Sequence, residues 1–318
     1  MTLQEPMMVM VEKYLAARRA NGVQLRTADT QLRSFARYAD QIGHRSPLTI
    51  EVAIGWARSS KRASQTGQAQ RLEVLRPFAR YLRTRDPRVE IPSPQLIGPP
   101  HPRRQPHIYT DDELHALLAA TSRLHPVGGL RPLTLRTYLS LLACTGMRPP
   151  EPLRLSRDDV DLAEGTLTVR QTKFGKSRLV PLHDSATCAL RAYGKARDRH
   201  QRRPRSPTFF LLDGGVALTL RKAHTAFQRL RRELGWAALP GRPAPRLYDL
   251  RHTFVCRRML RWYAEGRDVH QAIAALVTYL GHVNVTHTYW YLTGIPELMA
   301  QAATRFERWG DQPEGGRR

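Results

Sequence analysis

Six prolines crowd into the segment Ile91–His107, IPSPQLIGPPHPRRQPH, and no regular helix or strand can run through it. Each proline removes a backbone donor and disfavours helix in the residue before it. The chain is therefore expected to fold in two parts on either side of a linker over residues 91–107. At 318 residues there is enough chain for two cores.

Residues 8 to about 85 read as helices. Tyr14 and Leu15, then Leu32, Phe35, Ala36 and Tyr38, stand among polar residues. A third stretch near Thr49–Ser59 holds Ile50, Val52, Ile54 and Trp56. A fourth carries Leu72, Leu75, Phe78, Ala79 and Leu82 at spacings of three and four. Arg71, Arg76, Arg80 and Arg83 in that last stretch are candidates for lying on a DNA backbone, as are Arg103 and Arg104 in the linker. A solvated basic face is the plainer reading of each taken alone.

The second part opens at Thr110-Asp-Asp-Glu113, which has capping-box spacing before Leu114, Leu117 and Leu118. A helix is expected from near Pro132, with Leu135, Tyr138, Leu139 and Leu142 on one face and a stop near Gly146. Gly165–Val169 and Ser177–Val180 read as two strands joined by a polar KFGK turn. Helix resumes after about Arg221. Val269, Ile273, Leu276, Val277 and Leu280 form an apolar stripe closed by Gly281. A last helix is expected from Pro296 to about Phe306, and residues 309–318 as a frayed tail. The fold class is thus mainly α with a small β-sheet.

The net charge of +24 and pI near 11 are spread through the expected helices, which points to a polyanion, with DNA the default partner. Binding of that kind is salt-dependent, because phosphate neutralisation releases counterions. No window of about 20 apolar residues exists, so no membrane span is expected. The N-terminus lacks the pattern of a signal peptide. Cys144, Cys188 and Cys256 form neither a metal motif nor a disulfide framework. They read as ordinary buried cysteines in a cytoplasmic protein.

Five basic or phenolic positions carry the chemistry. Arg148 in TGMRPPE sits between a helix stop and two prolines, with Glu151 placed to orient it. Lys173, with Lys176, flanks the expected turn in QTKFGKSR, where a lysine can act as a general acid toward a leaving oxygen. Arg251 in LYDLRHT lies three residues after Tyr248, on the same helix face, with His252 adjacent. His282 follows a helix stop in YLGH, and Tyr291 lies in HTYWYL beside Tyr289. Two guanidinium groups can neutralise a phosphodiester by bidentate hydrogen bonds, and a nearby tyrosine can attack it. Singly, each has a structural reading: an Arg–Glu pair, an exposed turn lysine, a capping histidine, a packed aromatic. Carboxylates are not clustered as a two-metal nuclease requires, and no GxxxxGK[ST] loop is present.

Taken together and in order, these segments resemble the tyrosine recombinase family of phage-integrase and Xer-like enzymes, over about residues 108–308. TGMRPPE is similar to the family's TGxRxxE, TKFGKSRLVPL to its hairpin-lysine context TKxxKxRxVPL, DLRHT to its second arginine box, LGH to its later histidine and Thr288–Tyr291 to its TxxY. The resemblance implies catalytic roles for Arg148, Lys173, Arg251, His282 and Tyr291, cleavage through a 3′-phosphotyrosyl link, and no metal or other cofactor. It also implies double-stranded DNA bearing specific recombination sites, assembly as a homo- or hetero-tetramer with exchanged C-terminal segments, and accessory recombinases in some systems. Residues 1–90 would be the SAM-like core-binding domain ahead of a mixed α/β catalytic domain. The HTYWYLTG context is closer to mobile-element integrases than to chromosome-dimer resolvases, and DNA-bound protein would lie on the bacterial nucleoid. One departure stands out: the family's second box usually reads HxxR, whereas this chain has Tyr248-Asp-Leu-Arg251. A phenol still donates a hydrogen bond, but with a reference pKa near 10 it is a poor base at neutral pH. A type IB topoisomerase and a non-catalytic DNA-binding homologue are the alternatives.

Overall fold

The four apolar stripes of the N-terminal part become helices α1 (Met7–Ala20), α2 (Arg26–Gln41), α3 (Ile50–Arg58) and α4 (Gln65–Arg83) in the computed structural model, which describes residues 5–23, 25–45, 47–60, 63–100, 105–170, 177–239 and 243–281. Thr49 and Ser64 cap α3 and α4 by accepting from the amides of Val52 and Gly67, which gives otherwise orphaned donors a partner. Trp56, Phe35 and Phe78 are fully buried. The rings of Phe35 and Trp56 meet edge to face at 5.4 Å, as do those of Tyr14 and Phe78.

Through Pro100 the proline-rich segment belongs to this N-terminal unit, which spans residues 1–104. Ile91 and Ile97 pack on its core. Gln65 and Gln70 on α4 donate to the carbonyls of Ile97 at 3.0 Å and Pro100 at 2.9 Å. Proline-rich backbone has carbonyls and few donors, so glutamine amides are suited to fastening it. Arg103 and Arg104 lie outside the described residues.

The second unit spans residues 105–318. Its described helices are α5 (Asp111–Ala120), α6 (Leu130–Thr145), α7 (Asp184–His200), α8 (Leu220–Glu233), α9 (Asp249–Ala264) and α10 (Val269–Leu280). Both halves of the expected capping box form at α5, with Glu113 N to Thr110 Oγ1 at 3.1 Å and Thr110 N to Glu113 Oε2 at 2.9 Å. Helix α6 runs through the core, burying Leu135, Tyr138, Leu139, Leu141 and Leu142. It starts at Leu130, two residues before the expected Pro132. Its first amides are taken by a distant carboxylate: Leu130 N donates to Asp213 Oδ1 at 2.9 Å and Arg131 N to Asp213 Oδ2 at 3.1 Å. A negative charge at a helix N-terminus also meets the positive end of the helix dipole. Asp213→Ala should therefore lower the stability of this unit by about 1–2 kcal/mol, checked by thermal unfolding. An unchanged midpoint would contradict this.

Strands β1 (Val160–Asp161), β2 (Thr166–Val169) and β3 (Arg178–Pro181) form an antiparallel sheet in the order β1-β2-β3, with Leu167 opposite Val180 and Val169 opposite Arg178. The protein is thus mainly helical with a small three-stranded sheet, as expected. Strand β1 is absent from the sequence reading, since two residues are too few to show alternation. The KFGK turn, with Lys173 and Lys176, and the helix expected at 296–306 lie outside the described residues. The cysteine expectation is corrected in part. Cys256 is buried, but Cys144 on α6 and Cys188 on α7 reach the surface, although burial still pushes the Cys144 thiol up to about 11. Among the described residues no helix is long and apolar enough to cross a membrane, and no cluster of three His, Cys, Asp or Glu could hold a metal ion.

Candidate active site

Two of the expected arginines converge on one helix end. Helix α6 stops at Gly146, whose φ of +61° is left-handed backbone that favours glycine. A Cβ there would lie 2.4 Å from the Phe254 ring, so glycine is required on two counts. The chain then turns through Met147 and Arg148 into Pro149-Pro150. Tyr138, buried in α6, pins this turn by donating to the Pro149 carbonyl at 2.8 Å. Arg148 is held by Glu151: its amide donates to Oε2 at 2.8 Å and its Nη1 to Oε1 at 2.9 Å. Its Nη2 reaches the carbonyl of Gly281 at 2.8 Å.

Arg251 comes from the first turn of α9 and is only 1% exposed. Its Nη1 donates to the Gly146 carbonyl at 2.7 Å and its Nη2 to the Leu280 carbonyl at 3.0 Å. The two guanidinium groups are therefore bonded to successive carbonyls, Leu280 and Gly281, at the C-terminal end of α10. Those carbonyls are orphan acceptors at the negative end of the helix dipole, where cations are favoured. Arg251 also joins the ends of α6 and α10 through one planar group.

A third arginine, which the sequence reading did not single out, completes this arrangement. Arg178 on β3 grips both oxygens of Glu151, with Nη1 to Oε1 at 3.0 Å and Nη2 to Oε2 at 2.7 Å, and its Nε donates to the Tyr279 carbonyl at 2.9 Å. Glu151 is 6% exposed. Burial alone would raise its pKa, but the Arg178 hydrogen bonds and charge, with the donors of Arg148, outweigh it and leave the carboxyl below its ordinary range. The signal for Arg178 was present in SRLVP. It shares a strand face with buried Val180, and a charge on an inward face needs a partner.

Tyr248 precedes α9 and is 40% exposed. The ring of His252 lies beside it, with centroids 5.3 Å apart and planes at 56°. His252 is one residue from Arg251 but four from Tyr248, so it shares the tyrosine's face of the helix. Burial pushes its pKa down to about 4, and the imidazole is neutral at physiological pH. Helix α9 starts on Asp249, which accepts from Arg246 N at 2.8 Å and from Arg246 Nη2 at 2.7 Å. The structure thus brings together Arg148, Glu151 and Arg251, and places Tyr248 with His252. His282, Tyr289 and Tyr291 lie outside the described residues.

In the N-terminal unit, Arg71 stands apart from the other α4 arginines. Its guanidinium stacks 4.2 Å over the Trp56 ring, and burial holds its pKa below the ordinary value. Arg76, Arg80 and Arg83 follow each other at spacings of four and three, so they share a face. Arg71 lies about 140° around the helix from Arg76.

The Phage integrase family model matches residues 108–295, beginning just ahead of α5. An integrase/recombinase-type protein of Sinorhizobium fredii, y4rB, is 39% identical over 95% of this chain and 98% of its own length. The tyrosine recombinase XerD of Mycobacterium leprae is 33% identical over 64% of this chain and 62% of its own. Among solved structures, the Tn1549 transposon integrase in complex with transposon right-end DNA superposes with a TM-score of 0.67 at 18% identity, covering 96% of this chain and 100% of that one. A lambda integrase dimer bound to a core site gives 0.60 at 16% identity, over 89% and 76% of the two chains. These two structures share the fold, while the family model and the S. fredii relative extend the likeness to the sequence itself. The chain belongs to the tyrosine recombinase family of enzymes, the phage integrases.

Proposed function

We propose that this enzyme is a site-specific DNA recombinase that cuts and rejoins strands through a 3′-phosphotyrosyl intermediate on Tyr291. The Tyr291 hydroxyl loses its proton to a base or to water as its oxygen attacks the scissile phosphorus, the bond to the 5′ oxygen breaks, and Lys173 protonates that oxygen so that it leaves as the 5′ hydroxyl. Arg148, Arg251 and His282 stabilise charge on the five-coordinate phosphorus. A 5′ hydroxyl from a partner duplex then attacks the phosphotyrosine and releases the enzyme, so the bond energy is conserved and no cofactor is consumed. The observation that carries this reading is the pair of guanidinium groups, from two separate elements, tied to adjacent carbonyls immediately before His282. Electrostatic stabilisation is most effective when donors are fixed beforehand, and this pair is fixed by main-chain carbonyls and, for Arg148, by the Glu151 carboxylate as well.

The helical N-terminal residues 1–90 serve as the core-binding domain, joined through 91–107 to a catalytic domain at 108–308. Arg76 and Arg80 on their shared α4 face, with Arg103, Arg104 and Lys176, contact DNA phosphates. Arg71, stacked on Trp56, contributes less than the other α4 arginines. The assembly is a tetramer on paired double-stranded sites, with Leu292–Glu307 exchanged between protomers, and accessory recombinases are admissible members. The element served is a mobile one.

Covalent trapping tests the reading. Nicked duplexes tiled across the ends of the protein's own genetic element are incubated with purified enzyme, and SDS-resistant adducts are mapped by peptide mass spectrometry. The adduct is expected on Tyr291, present in Tyr289→Phe and absent in Tyr291→Phe. Attachment at Tyr289 would reassign the nucleophile. No adduct on DNA that is bound specifically would overturn the catalytic reading. Exchange between two defined sites, rather than resealing of one strand, separates it from a type IB topoisomerase.

Tyr248 occupies the place of the family's second-box histidine. A phenol donates to a phosphate oxygen but does not accept a proton near neutral pH, whereas neutral His252 beside it can. Tyr248→His should therefore raise the single-turnover cleavage rate, by about tenfold. An unchanged or slower rate would indicate that the Tyr248–His252 pair already supplies the function.

A further inference from the structure

Arg178 belongs to no position that the family reading makes catalytic, yet it touches three parts of the candidate site. It spans both carboxylate oxygens of Glu151, it donates to the last turn of α10 at Tyr279, and it lies on β3, five residues after Lys173 in the sequence. Its side chain is 12% exposed. A Cβ on Gly281 would approach its Nη1 to 3.1 Å, so it also packs against the residue immediately before His282. Glu151 in turn holds Arg148 through two bonds. The chain Arg178–Glu151–Arg148 is a buried polar network in which the middle member accepts from both ends, and the outer members converge on carbonyls two residues apart on one helix end. Such networks act as a unit, and removing one member leaves the others' geometry unspecified.

We propose that Arg178 is a positioning residue for DNA cleavage, which fixes Arg148 through Glu151 and ties the β3 strand to the α10 end from which His282 follows. It does not touch the phosphate. This rests on the catalytic reading above. The charged groups facing Glu151 are Arg148, from the segment after α6, and Arg178, from β3, while Arg251 of α9 reaches the same helix end without contacting the carboxylate within hydrogen-bond distance. Without Arg178, one of two counter-charges is lost and burial acts on the carboxyl with less opposition. A protonated Glu151 cannot hold Arg148 as a carboxylate does.

The test measures single-turnover adduct formation on a nicked duplex from pH 5 to 9, with DNA affinity measured in parallel, for the full chain and for Arg178→Gln, Glu151→Gln, the double variant and Tyr291→Phe. Arg178→Gln should bind DNA within about twofold of wild type but cleave roughly 10- to 100-fold more slowly, and the loss should deepen as pH falls. The double variant should lack that pH dependence and be no slower than the slower single variant, because the two residues act through one link. Cleavage by Arg178→Gln at the wild-type rate and pH profile, or single losses that multiply in the double variant, would overturn the proposal. Should Arg178→Gln fail to fold, as judged by circular dichroism, Arg178→Lys carries the test. It keeps the charge but cannot span two oxygens and a carbonyl. An intermediate rate with a low-pH limb supports the role, and wild-type behaviour overturns it. If Tyr291→Phe still forms adducts, it is the assignment of the nucleophile that fails, and if the wild type forms none, the catalytic reading, each independently of Arg178.

Discussion

Arg251→Lys will slow formation of the covalent DNA adduct by at least about 10²–10³-fold while leaving the protein folded. The charge is retained, so the loss isolates geometry. In the native protein one planar group donates to Gly146 at 2.7 Å and to Leu280 at 3.0 Å, and these two bonds set its plane and the direction of its remaining edge. An ammonium group on a flexible stem can reach one carbonyl but not both, and it cannot present a planar fork to a phosphate. Removing one preorganised donor from a transition-state site costs that order of rate. The measurement is single-turnover trapping on a nicked substrate, with a DNA-binding assay beside it. A lysine variant that cleaves within tenfold of wild type would remove Arg251 from the transition state.

The largest effect on stability is expected at Glu151. Glu151→Ala leaves Arg148 and Arg178, 20% and 12% exposed, facing one another without the carboxylate between them. Breaking a buried ion pair by deleting one partner costs about 3–5 kcal/mol, and partial solvation of Arg148 places this case toward the lower figure. Glu151→Gln keeps the shape and one acceptor and should lose less. The sign of the pH dependence follows from the direction of the shift. The Glu151 carboxyl is held below its ordinary value of 4.5 in the folded protein. Its contribution is therefore complete above that value and is lost as pH falls through the lower, folded value. Denaturant unfolding of wild type and Glu151→Gln at pH 7 and at pH 3.5 should give curves that converge at the lower pH. A constant difference would mean that Glu151 does not titrate in this way.

What the sequence made legible divides by range. The Thr110–Glu113 capping box, the stop at Gly146 and the Arg148–Glu151 pair are local, with partners within a few residues, and the β2–β3 pair joins neighbours across one short connection. The reading misses α7 because its buried side is thin: Thr187, Leu190, Tyr193, Gly194 and Arg197 do not make an apolar stripe. Asp213 is invisible for another reason, and the alternation in SRLVP turns Arg178 inward without naming its partner. Each serves a segment far along the chain, 83 residues away for the amide of Leu130 and 27 for Glu151, and no local pattern encodes such a partner. His252 is an intermediate case. Measured from Arg251 it points the wrong way, and only the four-residue step to Tyr248 reveals its neighbour. The order of TGMRPPE, DLRHT, LGH and TxxY made the family legible where single residues did not.

The acceptors that hold Arg148 and Arg251 at the α6 and α10 ends are main-chain oxygens, of Gly146, Leu280 and Gly281. A main-chain oxygen survives every side-chain replacement. Side chains elsewhere in the protein can accordingly diverge without deleting these acceptors, so the placement of the two cations is insulated from change in the rest of the chain. There are two exceptions: Glu151, whose carboxylate also holds Arg148, and Gly146, where the backbone path itself depends on having no side chain.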